Sequence, residues 1–314
     1  MTLRPLRVPT ERKTTTRHPK RVAPVGAPAL AQRLASKLVP RLASKLAGGL
    51  ALGLTLAISL AACAVSQQRE VEMGASYAAK IEQELPLVRD PEIVRYITVL
   101  GDSLAGVTDD RSLSWHFSIV DAPEINAFAL PGGYIYINRG LIEKATSIAH
   151  VAGVLGHEIA HVTQRHSIQQ MRKAQGANIG MTLTCILTDV CASGAGDLIQ
   201  FAAGGVFAKF SRNDESEADA EGVKTVIRAG IDPSGIPQLF RILLDERKAR
   251  PAGVDAFLLS HPLEEDRIAT TQALIAQQPK ELLRGLTQDS PSFQAFRKRL
   301  IALPPSPPSK KAGR

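Results

Sequence analysis

Aromatic residues are scarce in this sequence, where Phe, Trp and Tyr together make up 4% of 314 residues. Basic residues outnumber acidic ones, but the excess is confined to one end, because residues 1–62 contain 11 Lys and Arg and only one acid, Glu11. The rest of the chain has a small net negative charge. A nucleic-acid-binding surface combines a basic stripe with aromatic side chains on which bases stack. The sequence offers neither, so we expect no nucleic acid among the partners.

A long apolar run is missing as well. Residues 47–62 carry no charge, but a transmembrane helix needs about 20 consecutive apolar residues. This shorter run, preceded by a basic block, is typical of the apolar core of an export signal. We therefore interpret residues 1–62 as a basic leader and signal peptide.

Cysteine occurs three times, and the first occurrence ends the run Leu60-Ala61-Ala62-Cys63. This run resembles the bacterial lipobox, in which the Cys is lipidated and becomes the mature N-terminus. Residues 63–66 would then be a lipidated N-terminus and a short linker, and the lipid on Cys63 would hold the protein at a membrane. The residue after Cys63 is Ala64 and not Asp, which by resemblance to the sorting rules of bacterial lipoproteins favours the outer membrane. An ordinary cleaved signal and an uncleaved anchor are the alternatives.

The other two cysteines, Cys185 and Cys191, lie in the Gly- and Ala-rich stretch 176–210. An exported protein enters an oxidising compartment, so we expect these two to form a disulfide. Two free buried cysteines are the alternative. Zinc binding by this pair is disfavoured, because the Cys ligands of zinc are usually spaced more closely.

The spacing of apolar residues predicts helices over residues 67–85, 91–104, 147–173, 213–229, 233–249, 262–278 and 292–300. Alternation of apolar and polar residues around Phe117 predicts a strand. Two further β-prone runs, 126–130 and 134–138, flank the turn sequence Pro131-Gly132-Gly133 and predict a hairpin.

The motif H-E-x-x-H lies within the helix predicted over residues 147–173. Residues four apart share a helix face, so His157 and His161 can direct two ring nitrogens at one point. Glu158 lies beside that point, where a carboxylate can take a proton from an attacking water, as in zinc hydrolases. A buried helix with two hydrogen-bonded core histidines is the alternative. In a continuous helix His166 would be off the ligand face, so we expect it in solvent.

A catalytic zinc usually has three protein ligands, so one more is wanted. Glu215 and Asp219 are four residues apart on the helix predicted over 213–229 and share a face. Glu215 could bind zinc while Asp219 accepts a hydrogen bond from a ligand histidine and fixes its ring. Glu217 points another way and is the weaker candidate. A solvated acidic helix start is the alternative.

Four motifs now stand in order: H-E-x-x-H, the run 211–222, Ser260-His261-Pro262 with Arg267 after it, and, upstream, the run 126–136. Together they resemble the zinc metallopeptidase family of the CAAX prenyl endopeptidase and HtpX. The closer resemblance is to its soluble periplasmic branch, which includes BepA and LoiP. It covers about residues 70–274, and no tetratricopeptide repeats follow in this sequence.

The resemblance implies roles for particular residues. One Zn²⁺ would be bound by His157, His161 and Glu215, with Glu158 as general base and Asp219 supporting a ligand histidine. His261 would either stabilise the oxyanion or occupy the open zinc position and hold the enzyme latent. Arg267 would support that loop or pair with an acid. Extended substrate would pair with an edge strand formed by Asn126, Ala127, Phe128, Ala129 and Leu130.

The expected fold is α+β and mainly α: a zincin domain of the gluzincin type over residues 67–302, with a small β-sheet beside the active-site helix. Residues 303–314 would form a disordered tail. The expected function is that of a zinc-dependent endopeptidase of the bacterial cell envelope, whose substrates are misfolded or misassembled polypeptides. It would lie in the periplasm, anchored by lipid to the outer membrane. The alternative is an outer-membrane protein assembly factor or chaperone with latent or absent proteolysis.

Overall fold

The computed structural model describes residues 65–177, 210–249, 257–258, 260–262 and 265–307. All of them belong to the unit Val65–Arg314. The predictions for the signal peptide at 1–62, the lipidated Cys63, the Cys185–Cys191 pair and the end of the tail at 308–314 lie outside these ranges. Within them, no helix combines the length and apolar character that crossing a membrane requires.

The described elements are mainly helices around one small sheet, as expected from the sequence. Helices α1 and α2 span Gln67–Glu84 and Pro91–Ala105, and strands β1, β2 and β3 span His116–Val120, Ala127–Leu130 and Tyr134–Asn138. They are followed by α3 (Arg139–Lys144), α4 (Ile148–Thr163) and α5 (His166–Ala177). Beyond the undescribed stretch lie α6 (Arg212–Arg228), α7 (Gly235–Ala249), α8 (Glu265–Ala276) and α9 (Pro291–Ile301).

Local sequence explains where several helices begin. Asp90 accepts hydrogen bonds from the first N–H groups of α2, and Pro91, which has no N–H to satisfy, occupies the first helical position. Ser211 and Asp214 form a capping box at the start of α6, each side chain accepting from the other's backbone N–H. The helix that carries the acidic run therefore has a defined starting point.

The described sheet has the strand order β1-β3-β2. β2 and β3 are antiparallel, with Ala127 opposite Ile137, and the turn between them contains two glycines of positive φ, Gly132 and Gly133. The expected hairpin is confirmed. β1 runs parallel to β3, so β2 lies at one end of the described strands, against α4.

Helix α4 is the centre of the core, because its residues from Ala149 to Val162 are all buried. It packs against α6, α7 and the sheet. Its approach to α6 is closest where two glycines meet: a Cβ on Gly222 would lie 3.3 Å from the backbone nitrogen of His157, and one on Gly156 would lie 3.4 Å from the carbonyl of Gly222. The two helices therefore touch main chain to main chain.

The single helix expected over residues 147–173 is wrong, because the structure divides this segment into α4 and α5. The break comes at Arg165, whose φ of 60° lies in the left-handed region, a conformation that costs a residue with a Cβ about 1–2 kcal/mol. Two contacts hold it there. Nε donates to Glu70 at 2.8 Å, and Nη2 donates to the carbonyl of Val65 at 2.6 Å.

Helix α1 is tied to the end of α4 by a buried carboxylate. Glu70 is 1% exposed, and Arg111 contacts both of its oxygens at 3.1 and 3.2 Å while Arg165 contacts one. Arg111 also donates to the carbonyl of Val162, in the last turn of α4, at 2.8 Å. The charge pairs thus hold three segments distant in sequence against one another.

The first residues of the expected tail contact the domain. The buried guanidinium of Arg139 donates to the carbonyl of Leu303 at 3.2 Å and to that of Pro304 at 2.6 Å. Ser306 donates to the carboxylate of Asp121 at 2.6 Å. The segment after α9 is therefore fastened at the end of the sheet up to at least residue 306.

Candidate metal centre

Four buried side chains converge at one point beside α4. His157, His161, Glu215 and His261 each direct one nitrogen or oxygen there, and these atoms all lie within 4.8 Å of one another. Two come from α4, one from the first turn of α6, and His261 from the segment before α8. The four-residue spacing in α4 brings the two Nε2 atoms to 3.0 Å.

The separations fit one zinc ion. Zinc binds nitrogen at about 2.0–2.1 Å in a tetrahedron, so neighbouring ligand atoms stand roughly 3.3 Å apart. Nε2 of His157 lies 3.3 Å from Nδ1 of His261 and 3.6 Å from Oε2 of Glu215. Nδ1 of His261 lies 3.1 Å from Oε1 of Glu215. Imidazole and carboxylate groups are also the donors that zinc accepts in hydrolases.

A second layer of charged groups holds the cluster. A carboxylate oxygen of Asp219 lies 3.0 Å from Nδ1 of His157. Arg267 contacts both acids, with Nη1 2.6 Å from Glu215 and Nη2 2.7 Å from Asp219. Its guanidinium also lies over the ring of Phe240, 4.7 Å from the centroid. Arg267 therefore holds both Glu215, the third candidate ligand, and Asp219, the partner of His157.

Burial and these neighbours separate the pKa values of the cluster. Burial lowers the pKa of His161 well below its ordinary value, which leaves the ring neutral, as metal binding requires. Burial also opposes charge on His157, but the carboxylates of Asp219 and Glu215 outweigh it and raise its pKa to about 10. The surrounding imidazoles overcome the burial of Glu215 and hold its pKa well below the usual range.

Glu158 differs from the other acids of the site because both of its oxygens are without hydrogen-bond donors in the described part of the chain. The residue is 1% exposed. Burial raises its pKa. Nε2 of His261 lies 3.5 Å from Oε1 of Glu158. An unsatisfied buried carboxylate is costly, so its presence beside the cluster points to a chemical task.

His261 lies between the ligand atoms and Glu158. Its Nδ1 faces the cluster and its Nε2 faces Glu158. Its backbone N–H donates to the carbonyl of Phe257 at 2.8 Å, and the Phe257 ring stacks on the imidazole with centroids 4.9 Å apart. Sequence reasoning left its role open between two possibilities. In this structure the ring occupies the place beside the ligands.

His166 is not in solvent, so that expectation is wrong. It is fully buried, and its Nδ1 lies 2.9 Å from Nδ1 of His161. The left-handed turn at Arg165 brings it back beneath the ligand face. The sequence holds no local signal for that turn, since Arg is not a residue that favours positive φ.

The strand expected to meet substrate is β2. Its residues pair with β3 on one side, and among the described strands it has no partner on the other. Asn126 precedes the strand; its carbonyl accepts from the N–H of Asn138 at 2.8 Å, and its buried Oδ1 has no hydrogen-bond partner in the described part of the chain. Strand β2 is also in contact with α4.

A small apolar cavity of about 10 Å³ lies beside His157. It lies between α4 and α7 on the N-terminal side of the H-E-x-x-H motif. Its remaining lining is apolar and consists of Gly153, Val154, Ile236, Leu239, Phe240 and Phe257. A cavity of this volume has room for about one water molecule and is too small for a side chain.

The chain is similar to known peptidases. The sequence model of peptidase family M48 matches residues 89–275. The beta-barrel assembly-enhancing protease of Escherichia coli (strain K12) is 30% identical over 255 residues, which are 77% of this chain and 50% of that protein. The beta-barrel assembly-enhancing protease of Yersinia pestis is 30% identical over 219 residues, 67% of this chain and 44% of that protein.

A mitochondrial protein is similar as well. The mitochondrial metalloendopeptidase OMA1 of Schizosaccharomyces pombe is 26% identical over 204 residues, 64% of this chain and 59% of that protein. This chain spans about half the length of the bacterial relatives that it matches.

Proposed function

Since the chain belongs to peptidase family M48, we propose that it is a zinc-dependent endopeptidase that cleaves misfolded or misassembled proteins of the bacterial cell envelope. The observation that carries the proposal is the buried cluster of two Nε2 atoms and a carboxylate, with an unsatisfied Glu158 beside it. The bacterial relatives are named beta-barrel assembly-enhancing proteases, which supports envelope proteins as the substrate class.

His157, His161 and Glu215 are the proposed metal ligands. When bound, zinc acidifies a water molecule and polarises the scissile carbonyl. The carboxylate of Asp219, 3.0 Å from Nδ1 of His157, favours a proton on that nitrogen, which leaves Nε2 free to bind the metal. Arg267 neutralises both acids and keeps them in place.

Glu158 is the proposed general base. Its two oxygens are unoccupied by other donors of the described residues, so the carboxylate can take a proton from the attacking water and deliver it to the leaving amine. Burial raises its pKa, and a base whose pKa is nearer neutral transfers protons in both directions more readily.

His261 is proposed to hold the enzyme latent. The ring stands 3.3 Å from Nε2 of His157 and 3.5 Å from Glu158, in the space that an attacking water needs. Nδ1 of His261 also completes a fourth ligand position. Cleavage therefore requires His261 to leave, and the arrangement supports a latch more than an oxyanion donor.

Substrate would bind as an extended strand along the free edge of β2. Main-chain pairing holds any extended peptide with little demand on its side chains, which suits clients that have failed to fold. Asn126, with an unsatisfied buried oxygen at the start of the strand, is proposed to order this edge.

We also propose a route to the envelope. Residues 1–62 would direct export, and lipid on Cys63 would anchor the protein to the outer membrane on its periplasmic side. In that oxidising compartment Cys185 and Cys191 would pair.

The experiment compares cleavage of casein by the purified wild-type chain, His261→Ala, and His261→Ala combined with either Glu158→Gln or the surface change Glu221→Gln. Zinc content is measured on each sample. We expect cleavage by His261→Ala, no cleavage once Glu158→Gln is added, and one zinc in both. Glu221→Gln should alter neither quantity. Zinc without cleavage in every sample would instead indicate a chaperone-like assembly factor, and full activity with Glu158→Gln would sink the proposed mechanism.

A further inference from the structure

The two histidines of α4 that face the proposed metal are supported differently on their other ring nitrogen. Nδ1 of His157 lies 3.0 Å from a carboxylate oxygen of Asp219. Nδ1 of His161 lies 2.9 Å from Nδ1 of His166, a fully buried imidazole. Nε2 of His166 in turn lies 3.3 Å from Oε2 of Glu217, at the surface of α6. A chain of three side chains thus leads from the metal position to solvent.

Hydrogen-bond chemistry fixes the direction of this chain. His161 needs its Nε2 lone pair for a metal, so its proton is on Nδ1. Two nitrogens 2.9 Å apart must be one donor and one acceptor, so Nδ1 of His166 accepts. The proton of His166 is then on Nε2, where Glu217 accepts it. Each side chain determines the tautomer of the one before it.

We propose that His166 is a positioning residue, which orients the ring of His161 for zinc while Glu217 keeps His166 in the accepting tautomer. The inference rests on the metal site of the proposed function and adds an imidazole–carboxylate support for its second histidine. Partners of this kind contribute about 10–100-fold to metal affinity in other proteins. His166 therefore has a task that burial in a core would not give it.

The backbone is arranged to bring His166 to that place. Residues five apart in an uninterrupted helix point roughly 140° away from each other, so His166 would otherwise face away from His161. The left-handed Arg165 reverses the chain between them, and Glu70 and the Val65 carbonyl hold it. A conformation that costs about 1–2 kcal/mol is thus kept at the position that sets this contact.

His150 is the matched control for His166, because it is a buried histidine of α4 that lies outside the metal cluster. Its Nδ1 accepts from the backbone N–H of Thr146 at 3.2 Å, and its Nε2 lies 3.2 Å from Oε1 of Gln238. Neither partner is a proposed metal ligand. Changing His150 therefore measures what a hydrogen-bonded core histidine contributes without a path to the metal.

The test measures the zinc dissociation constant of the full-length protein by competition with a chelator. The variants are His166→Asn, which keeps a polar acceptor near the position of Nδ1, His166→Gln, which moves it to that of Nε2, and His150→Gln. We expect zinc to bind at least about tenfold more weakly to His166→Gln. The other two should stay within about threefold of wild type. The visible spectrum of the cobalt-loaded protein should change with His166→Gln alone.

The outcomes separate this inference from the proposed function. Equal zinc affinity of wild type and His166→Gln overturns the inference and leaves the peptidase intact, whereas a wild type that binds no zinc overturns the proposed function itself. Where a variant at 166 does not fold, Glu217→Ala is compared with Glu221→Ala, which removes another carboxylate of α6 that pairs with Lys224 instead of His166. We expect the first to bind zinc about threefold more weakly. Equal affinity of this pair contradicts the inference.

Discussion

Nδ1 of His157 lies 3.0 Å from Oδ1 of Asp219, and Nη2 of Arg267 lies 2.7 Å from the same oxygen. The carboxylate therefore fixes the ring and is itself fixed. We expect Asp219→Ala to weaken zinc binding about 10–100-fold, because both the orientation and the basicity of the histidine depend on this partner. Competition with a chelator measures the change. Asp214→Ala, which removes the capping box of the same helix, should lower the melting temperature and leave zinc affinity unchanged.

Removing the side chain of His261 should activate the enzyme. The ring stands between the ligand atoms and Glu158, so His261→Ala opens the space for water. We expect casein cleavage at least about tenfold faster, the change that 1.4 kcal/mol of released inhibition gives. His116→Ala, at an exposed position of β1, is the control. A slower His261→Ala enzyme with zinc still bound would assign His261 to oxyanion stabilisation.

Glu70→Gln should destabilise the fold strongly. It leaves two arginines facing a group without charge, and breaking a buried pair costs about 3–5 kcal/mol. We expect about 3 kcal/mol, near the lower end, since the side chain of Arg165 is 34% exposed. Urea unfolding measures the difference. Glu72→Gln is the control, because Glu72 lies in the same helix but makes an exposed contact with Arg69. It should change the free energy of unfolding by less than about 0.5 kcal/mol.

Gly222→Ala should damage the metal site more than the fold. The added Cβ would meet the backbone nitrogen of His157 at 3.3 Å, so α4 and α6 must separate by a few tenths of an ångström. Alanine favours a helix by about 1 kcal/mol over glycine, which offsets part of the overpacking. We expect zinc affinity about tenfold lower, because the separation moves His157 away from its partners on α6. Zinc affinity equal to that of Glu221→Ala would contradict this prediction.

Asp90 should contribute stability that depends on pH. Hydrogen bonding to Arg299 is the largest of the causes that hold the pKa of Asp90 below its ordinary 3.8. Desolvation comes next and opposes it, and the N–H groups at the start of α2 lower the pKa further. A carboxyl whose pKa is lower in the folded than in the unfolded protein stabilises the fold at pH values above its unfolded pKa. That stability is lost as the pH falls through the folded pKa.

Asp90→Asn should therefore lower the melting temperature at pH 7, and the difference from wild type should shrink below about pH 4. Melting curves between pH 7 and pH 3 measure this. Asp102→Asn, at an exposed position of the same helix, should give no such trend.

The sequence predicted most of the fold because its signals are local. The period of apolar residues fixed α1, α2, α6 and α9 to within a residue or two, and the turn Pro131-Gly132-Gly133 marked the hairpin. The four-residue spacing of His157 and His161 predicts that they share a face, and their Nε2 atoms lie 3.0 Å apart. Glu215 and Asp219 follow the same rule. Their chemical roles stay predictions until metal and activity are measured.

What the sequence could not predict depends on tertiary contacts. The break at Arg165 has no composition signal, because an arginine takes a positive φ here only where Glu70 and Val65 hold it. The period of apolar residues therefore predicted one helix up to residue 173, with His166 in solvent. The contacts of Arg267 with two carboxylates likewise join α8 to α6, since Arg267 and Asp219 are 48 positions apart in sequence. Such contacts depend on how the helices and strands pack together, and the spacing of residues along the sequence does not carry that information.

The groups that meet at the proposed metal position come from segments far apart in the chain, and His157 and His261 are separated by 104 positions in sequence. A bound ion would therefore act as a reversible cross-link that exists only in the folded protein. Each tenfold rise in free zinc above the dissociation constant adds about 1.4 kcal/mol to the free energy of unfolding. The supply of metal would then govern how long the protein survives in its compartment, and starvation for zinc would remove the enzyme as well as silence it.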